Sequence, residues 1–231
     1  MKRLPSPPEK RIEALQQNRY LSGLDDKILE YLAQNTRLIS YDSEEYIIQE
    51  GQPCQGLCIV ESGRVKIFKN SRSGREMIIN VFETGESFNE VPVFDQLENP
   101  VNVGAIIDSR IWLIDALALR TVISDHPEAA QQIIINISQN LRKLVDMVAE
   151  LSFYTVTARL AHLLREIPQD QLSESGSQRL TQDDLAARIG TVREVVARSL
   201  KELEKCGAIE VNRGKITIVD KNRLIEWNRN L

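Results

Sequence analysis

From Pro127 to about Leu151 nothing in the sequence breaks a helix, and Pro127 stands where a first-turn proline is tolerated. Within this stretch Ile134, Ile137, Leu141, Leu144, Val148 and Leu151 are spaced 3, 4, 3, 4 and 3 residues apart, the seam of a two-stranded coiled coil. Such a seam has to be covered, either by a second copy of the chain or, as on an ordinary amphipathic helix, by the chain's own domain. Ile133, Val145 and Met147 widen the apolar face. We therefore expect both, with one side on a neighbouring domain and the seam on a twin.

This helix also divides the chain. On its N-terminal side, from Leu38 to Asp115, the apolar residues fall in short runs: Tyr46-Ile47-Ile48, Leu57 to Val60, Val65 to Phe68, Met77-Ile78-Ile79, Val103 to Ile107 and Ile111 to Ile114. Between them stand Glu50-Gly51-Gln52-Pro53, Glu61-Ser62-Gly63, Ser71 to Gly74 and Thr84-Gly85-Glu86. Short strands at intervals of roughly 10 residues with glycine-bearing turns indicate an antiparallel barrel or roll. Before it, behind a proline-rich leader, Arg11 to Ala33 has the spacing of two short helices broken near Ser22-Gly23. After the long helix comes another, from about Thr155 to Glu166, and then a polar stretch, Gln169 to Gln178, that reads as a surface loop.

A chain of 231 residues has room for two domains. No stretch approaches the ~18 uninterrupted apolar residues of a membrane span, and Met1 to Glu9, with Pro5, Pro7 and Pro8, lacks the apolar stretch of a secretion signal. A cytosolic chain with no membrane partner is expected. Cys54, Cys58 and Cys206 are an odd number and scattered, which fits free thiols. The net charge is −4, but Gln178 to Leu231 holds 11 Lys and Arg against 8 Asp and Glu, a net of +3 that leaves −7 for the rest.

That basic end carries the most informative segment. Thr181-Gln182-Asp183-Asp184 is a helix start of the Ser/Thr-x-x-acid kind, with Leu185, Ala186 and Ile189 following and Gly190 ending the helix. A second helix runs from Thr191 or Val192 to about Lys205, with Val195, Val196, Leu200 and Leu203 as its buried face. Two helices joined by a glycine turn suit a helix-turn-helix. Ser199 is polar where such motifs often carry an apolar residue. The exposed start of the second helix presents Arg193, Glu194 and Arg198; arginine forks onto guanine O6 and N7, and a carboxylate accepts from cytosine N4. Ile209 to Val211 and Lys215 to Val219 read as a β-hairpin whose tip offers Arg213 and Lys215 to phosphates. Thr181 and Thr191, at the two helix starts, join them as phosphate contacts.

At this point the chain resembles the Crp/Fnr family of transcription regulators over nearly its whole length. The resemblance rests on Glu50-Gly51, Gly63-Arg64-Val65, Gly85-Glu86-Ser87-Phe88-Asn89-Glu90 and the run from Gly190 through Glu204. It implies an α+β chain with a jelly-roll (double-stranded β-helix) sensor domain over 1–126, a dimerisation helix over 127–152 and a winged helix-turn-helix over 153–231. It also implies a homodimer on duplex DNA with TGTGA-like half-sites, and RNA polymerase as a partner.

The sensor departs from the cyclic-AMP-binding pattern. Where such relatives place an Arg-Ser pair on the cyclic phosphate, this chain has Pro100-Val101; where their long helix offers Thr-Ser to the purine, it has Leu144-Val145; and Asn89 replaces a glycine. A buried phosphate without its cation costs several kcal/mol, on the order of an unpaired buried charge. Cyclic AMP is disfavoured, although Glu90 is placed to hold a sugar hydroxyl. Any other ligand is expected to be less anionic and lined by Asn89, Glu90, Val91, Asn102 and Leu144. An iron–sulfur cluster needs four thiolates, and the three cysteines are too few. Cys54 and Cys58 have the spacing of a soft-metal or redox pair, but Cys58 sits in an apolar strand and reads as core. Two histidines, His126 and His162, do not make a zinc site, and we expect no metal. Haem needs one axial ligand and stays open, so the effector is unknown. No Walker lysine loop, His-Glu-x-x-His or Gly-x-Ser-x-Gly occurs, so an enzyme is not expected. The competing class is a cyclic-nucleotide or redox signalling module whose C-terminal domain contacts protein.

Overall fold

A computed structural model describes residues 1–18, 20–173, 180–212 and 214–227. The chain divides into two compact units, Met1–Phe68 with Ile79–Arg142 and Lys69–Ile78 with Lys143–Leu231. In chain order the first part comprises β1 (Lys2–Leu4), α1 (Pro8–Gln17), α2 (Asp26–Gln34), β2 (Thr36–Tyr41), β3 (Tyr46–Ile48), β4 (Gly56–Ser62), β5 (Arg64–Asn70), β6 (Glu76–Glu83), β7 (Ser87–Phe88), α3 (Glu90–Asp95), β8 (Asn102–Ala105), β9 (Ser109–Asp115) and α4 (Ala116–Asp125), followed by the long α5 (Pro127–Phe153).

The strands form a roll of two sheets, one ordered β1-β2-β9-β4-β7 and the other β3-β8-β5-β6. The unbroken apolar runs of β4 and β9 follow from burial on both faces. Cys58, Val60, Ile111 and Leu113 point into the roll interior with Val65, Phe82, Phe88 and Val103. Their neighbours Leu57, Ile59, Trp112 and Ile114 point outward into a second core with Leu15, Leu29, Leu32 and Leu119 of α1, α2 and α4. Ile133 of α5 joins this outer core, and Ile137 packs partly against it.

Three strands escaped the sequence pattern, among them the two-residue β7. The proline-rich leader contains β1, whose Lys2, Arg3 and Leu4 pair with Ser40, Ile39 and Leu38; backbone pairing to an edge needs no apolar run. β2 itself, with Leu38-Ile39 between polar residues, pairs along its whole length with β9.

The second unit adds α6 (Val156–Glu166), α7 (Gln169–Ser173), α8 (Gln182–Ile189), α9 (Arg193–Lys205), β10 (Ile209–Asn212), β11 (Lys215–Ile218) and α10 (Lys221–Glu226). Its core holds Leu160, Leu164, Leu185, Ile189, Val196, Leu200, Leu203, Ile209, Ile216 and Leu224. The expected loop after Pro168 is corrected at its start, because Gln169–Ser173 is helical. Leu172 is buried there, and the Gln169 side chain donates to Ile216 O at 2.8 Å and accepts from Ile218 N–H at 3.3 Å. The remainder of that stretch, 174–178, lies outside the described residues. Among the described residues no helix is long and apolar enough to cross a membrane.

Candidate nucleic-acid interface

Helix α8 is fixed at both ends. Thr181 closes a reciprocal cap on α8: its hydroxyl accepts Asp184 N–H at 3.1 Å, and Asp184 Oδ2 accepts Thr181 N–H at 2.8 Å. The same hydroxyl donates to Asp184 at 2.6 Å, so its hydrogen is committed within the cap. At the other end Gly190 takes φ +66°, a left-handed conformation that glycine adopts without a steric penalty. A Cβ there would also lie 3.1 Å from Leu151 Cδ2. Thr191 N–H then returns to Ala186 O at 2.9 Å, and the chain enters α9 through Val192.

Helix α9 separates two faces. Val196, Ser199, Leu200 and Leu203 are buried, whereas Arg193, Glu194 and Arg198 are exposed. At about 100° per residue the three charged side chains span an arc of about 140° roughly opposite the buried face. Arg193 makes one loose contact, to Asp183 Oδ2 at 3.4 Å with both side chains more than half exposed, a pairing of small energetic weight in water. Val195, expected on the buried face, is only half-buried; the fourth core position belongs to Ser199.

Ser199 is what the sequence left unexplained. Its hydroxyl lies 2.9 Å from Thr157 Oγ1 of α6, which is 2.7 Å from Glu202 Oε2. A carboxylate only accepts, so Thr157 gives its single hydroxyl hydrogen to Glu202, and Ser199 supplies the second donor. The network joins α6 to α9 at a position a plain apolar contact would leave freer to slide. Neither Thr157 nor Glu202 carried a sequence signal.

Asn212 and Lys215 pair across the β10–β11 hairpin, and Lys215 is exposed at its tip. Glu204 of α9 accepts Val211 N–H at 3.1 Å, which anchors the hairpin to α9. Arg213 lies outside the described residues. Thr191 is half-buried and Thr181 exposed.

Along α5, Ile134, Leu141, Leu144, Val148 and Leu151 are 37% to 63% exposed in the single chain. Ile137 is the exception, half-buried against the outer core.

Two family models match the chain in tandem, the cyclic nucleotide-binding domain over residues 38–126 and the Crp-like helix-turn-helix domain over residues 158–227. A CRP-like cAMP-activated global transcriptional regulator of Mycobacterium tuberculosis is 28% identical over 207 residues, covering 87% of this chain and 92% of that protein. The cAMP-activated global transcriptional regulator Vfr of Pseudomonas aeruginosa is 29% identical over 187 residues, 78% of this chain and 87% of that one. A solved Crp/Fnr-family regulator from Eubacterium rectale superposes with a TM-score of 0.79 at 20% identity, over 93% of this chain and all of that one. The chain belongs to the Crp/Fnr family of transcription regulators.

In this Crp/Fnr regulator the five residues expected to line an effector pocket have different surroundings. Glu90 is buried, and its Oε1 accepts from the Tyr20 hydroxyl at 2.9 Å and from Asn136 Nδ2 at 3.1 Å. Protein donors thus engage one oxygen of the carboxylate expected to hold a sugar hydroxyl. Asn102 is buried and its Oδ1 accepts Glu50 N–H at 3.0 Å. Val91 is half exposed on α3. Leu144 belongs to the second unit, and the other four to the first. Asn89, at φ +78°, gives its amide to Gly56 O at 3.0 Å and to Cys54 Sγ at 3.5 Å, and of the five it alone lines the cavity of the roll.

Proposed function

We propose that this Crp/Fnr regulator acts in the cytosol as a homodimer, reading a palindromic operator of TGTGA-like half-sites without cyclic AMP as its effector. The observation that carries the reading is the face of α9, where Arg193, Glu194 and Arg198 project opposite a buried stripe. Arg193 and Arg198 fork onto guanines, Glu194 takes a cytosine amine, and Lys215, Arg213 and Thr191 hold phosphates. Residues 127–152 act as the dimerisation helix between a sensor domain, 1–126, and the DNA-binding domain, 153–231. The exposed apolar stripe on α5 supports a twin across the seam. Bound beside a promoter, the dimer works by contacting RNA polymerase or by obstructing it.

Against cyclic AMP stand Pro100 and Val101, which offer a buried phosphate neither cation nor donor side chain, and the engagement of Glu90 by Tyr20 and Asn136.

Titrating the protein onto a duplex with two inverted TGTGA half-sites one helical turn apart, against a scrambled duplex, tests the reading. The palindrome should bind at least about 1,000-fold more tightly. Lys215→Ala should weaken both duplexes and reduce the salt slope by about one unit per half-site. Equal affinity for the two duplexes overturns the proposal.

A further inference from the structure

The stretch Lys69-Asn70-Ser71-Arg72-Ser73-Gly74-Arg75 carries three cations and no carboxylate. It lies within residues 1–177, whose net charge is −7, and is a basic exception there. In the fold it forms the tip of the hairpin between β5 and β6, with Lys69, Arg72 and Arg75 all exposed. Among the described residues no carboxylate engages the guanidinium of Arg72 or Arg75.

The tip is a closed turn. Gly74 N–H reaches Ser71 O at 2.9 Å, and Ser71 N–H reaches Arg75 O at 2.8 Å. The Ser71 hydroxyl accepts Arg75 N–H at 3.0 Å, and Gly74 supplies the φ of +80° that the turn requires. Arg72 and Arg75 thus project from a short, hydrogen-bonded loop, and little backbone freedom is lost when they are bound.

Lys69–Ile78 is grouped with Lys143–Leu231, the unit that holds the helix-turn-helix. Met77 makes the contact that shows why: a Cβ placed on Gly190 would lie 3.6 Å from Met77 Cε and 3.8 Å from its Sδ. The Met77 thioether therefore packs on the turn that joins α8 to α9. Extended chain covers at most about 3.5 Å per residue, so Arg75 stands within about 7 Å of Met77, and Arg193 within about 11 Å of Gly190. Those spans are a few base pairs of duplex, which carries one phosphate charge per about 1.7 Å of its axis.

We propose that this hairpin tip is a further DNA-binding element, whose Arg72 and Arg75, with Lys69, bind backbone phosphates beside each half-site while α9 reads the bases. The inference rests on the operator reading proposed above and adds to it contacts that do not depend on sequence. A guanidinium pairs with phosphate oxygens through two parallel N–H bonds, and a patch that offers only cations is complementary to a polyanion.

Binding of the full-length protein is measured over a range of salt on the palindromic duplex, extended by about 10 base pairs beyond each half-site, and on a scrambled duplex of the same length. Arg72→Ala with Arg75→Ala removes about four phosphate contacts per dimer, so the slope of log K against log salt should fall by about 3 to 4 units on both duplexes. Affinity at physiological salt should drop at least about tenfold, with the preference for the palindrome unchanged. Arg72→Lys with Arg75→Lys should retain most of the slope. Lys2→Ala with Arg3→Ala, which removes the same charge from the exposed β1, should leave it within about one unit. Ethylation interference should place the lost contacts at phosphates beside the half-site, where ethylation weakens wild type and not the alanine variant. An unchanged slope with the palindrome preference intact overturns the proposal and leaves operator reading standing. An equal fall in slope for the Lys2 and Arg3 variant also overturns it, since the effect is then one of net charge. A wild type that prefers neither duplex, with the slope still falling in the alanine variant, overturns operator reading and leaves the hairpin contact standing. A wild type that binds neither duplex overturns both.

Discussion

Replacing Leu141 and Leu144 together by glutamate should convert the proposed dimer into monomers. In the single chain these side chains are 59% and 43% exposed, so covering both removes from water about one whole leucine, worth about 2 kcal/mol. A two-fold dimer covers two such pairs, so their loss costs about 4 kcal/mol, or about a thousandfold in Kd. The carboxylates add to this, since four like charges would meet across the seam and shed solvent there. Neither leucine belongs to the packed core of its own chain, so the monomer should keep its helices and melt within about 1 kcal/mol of wild type. Sedimentation equilibrium over a wide concentration range gives Kd, and circular dichroism monitors the fold. A Kd that moves less than about tenfold would refute the seam, and so would unfolding at every concentration, which would place the two leucines in the protein's own core.

Two other perturbations act inside the units. Thr157→Val removes the hydroxyl that joins Ser199 to Glu202 and leaves a buried serine without its partner, so denaturant unfolding should show a loss of about 1–3 kcal/mol; pairing it with Ser199→Ala should recover part of that loss, and additive losses would show the network is not coupled. Tyr41 ionises near 10 in the unfolded chain and at about 12 in the fold. Its contribution is whole below pH 10 and is lost as pH climbs from 10 to 12, a slope totalling about 3 kcal/mol that Tyr41→Phe should remove; an unchanged slope between pH 10 and 12 would count against its burial.

The parts of this molecule that were legible in sequence are those whose cause is local. Thr181, Asp184 and Gly190 act on backbone groups within a few residues, so the cap and turn of the helix-turn-helix could be read in order. The 3–4 spacing along α5 placed its seam residues, and the structure leaves five of the six exposed. Ile137 differs because the roll beneath α5, which no heptad count contains, half-covers it. What escaped depends on distant partners. Glu90 reads as a ligand-facing carboxylate, and the partners of its Oε1, Tyr20 and Asn136, stand 70 and 46 residues away. Thr157 and Ser199 are 42 residues apart. β1 was hidden because edge pairing is a property of the backbone, and α7 because one buried leucine, Leu172, anchors a stretch whose composition is that of a loop.

The central claim, that Arg193, Glu194 and Arg198 read bases from a two-fold dimer, is tested most directly by selecting bound sequences from a pool of random duplexes. The account predicts that wild type enriches a palindrome whose half-sites lie one helical turn, about 34 Å, apart. Arg193→Ala and Glu194→Ala should each relax one base pair per half-site at a cost of roughly 1–3 kcal/mol, while every other position keeps its preference. Enrichment of no palindrome, or variants that retain the wild-type motif at every position, would contradict it.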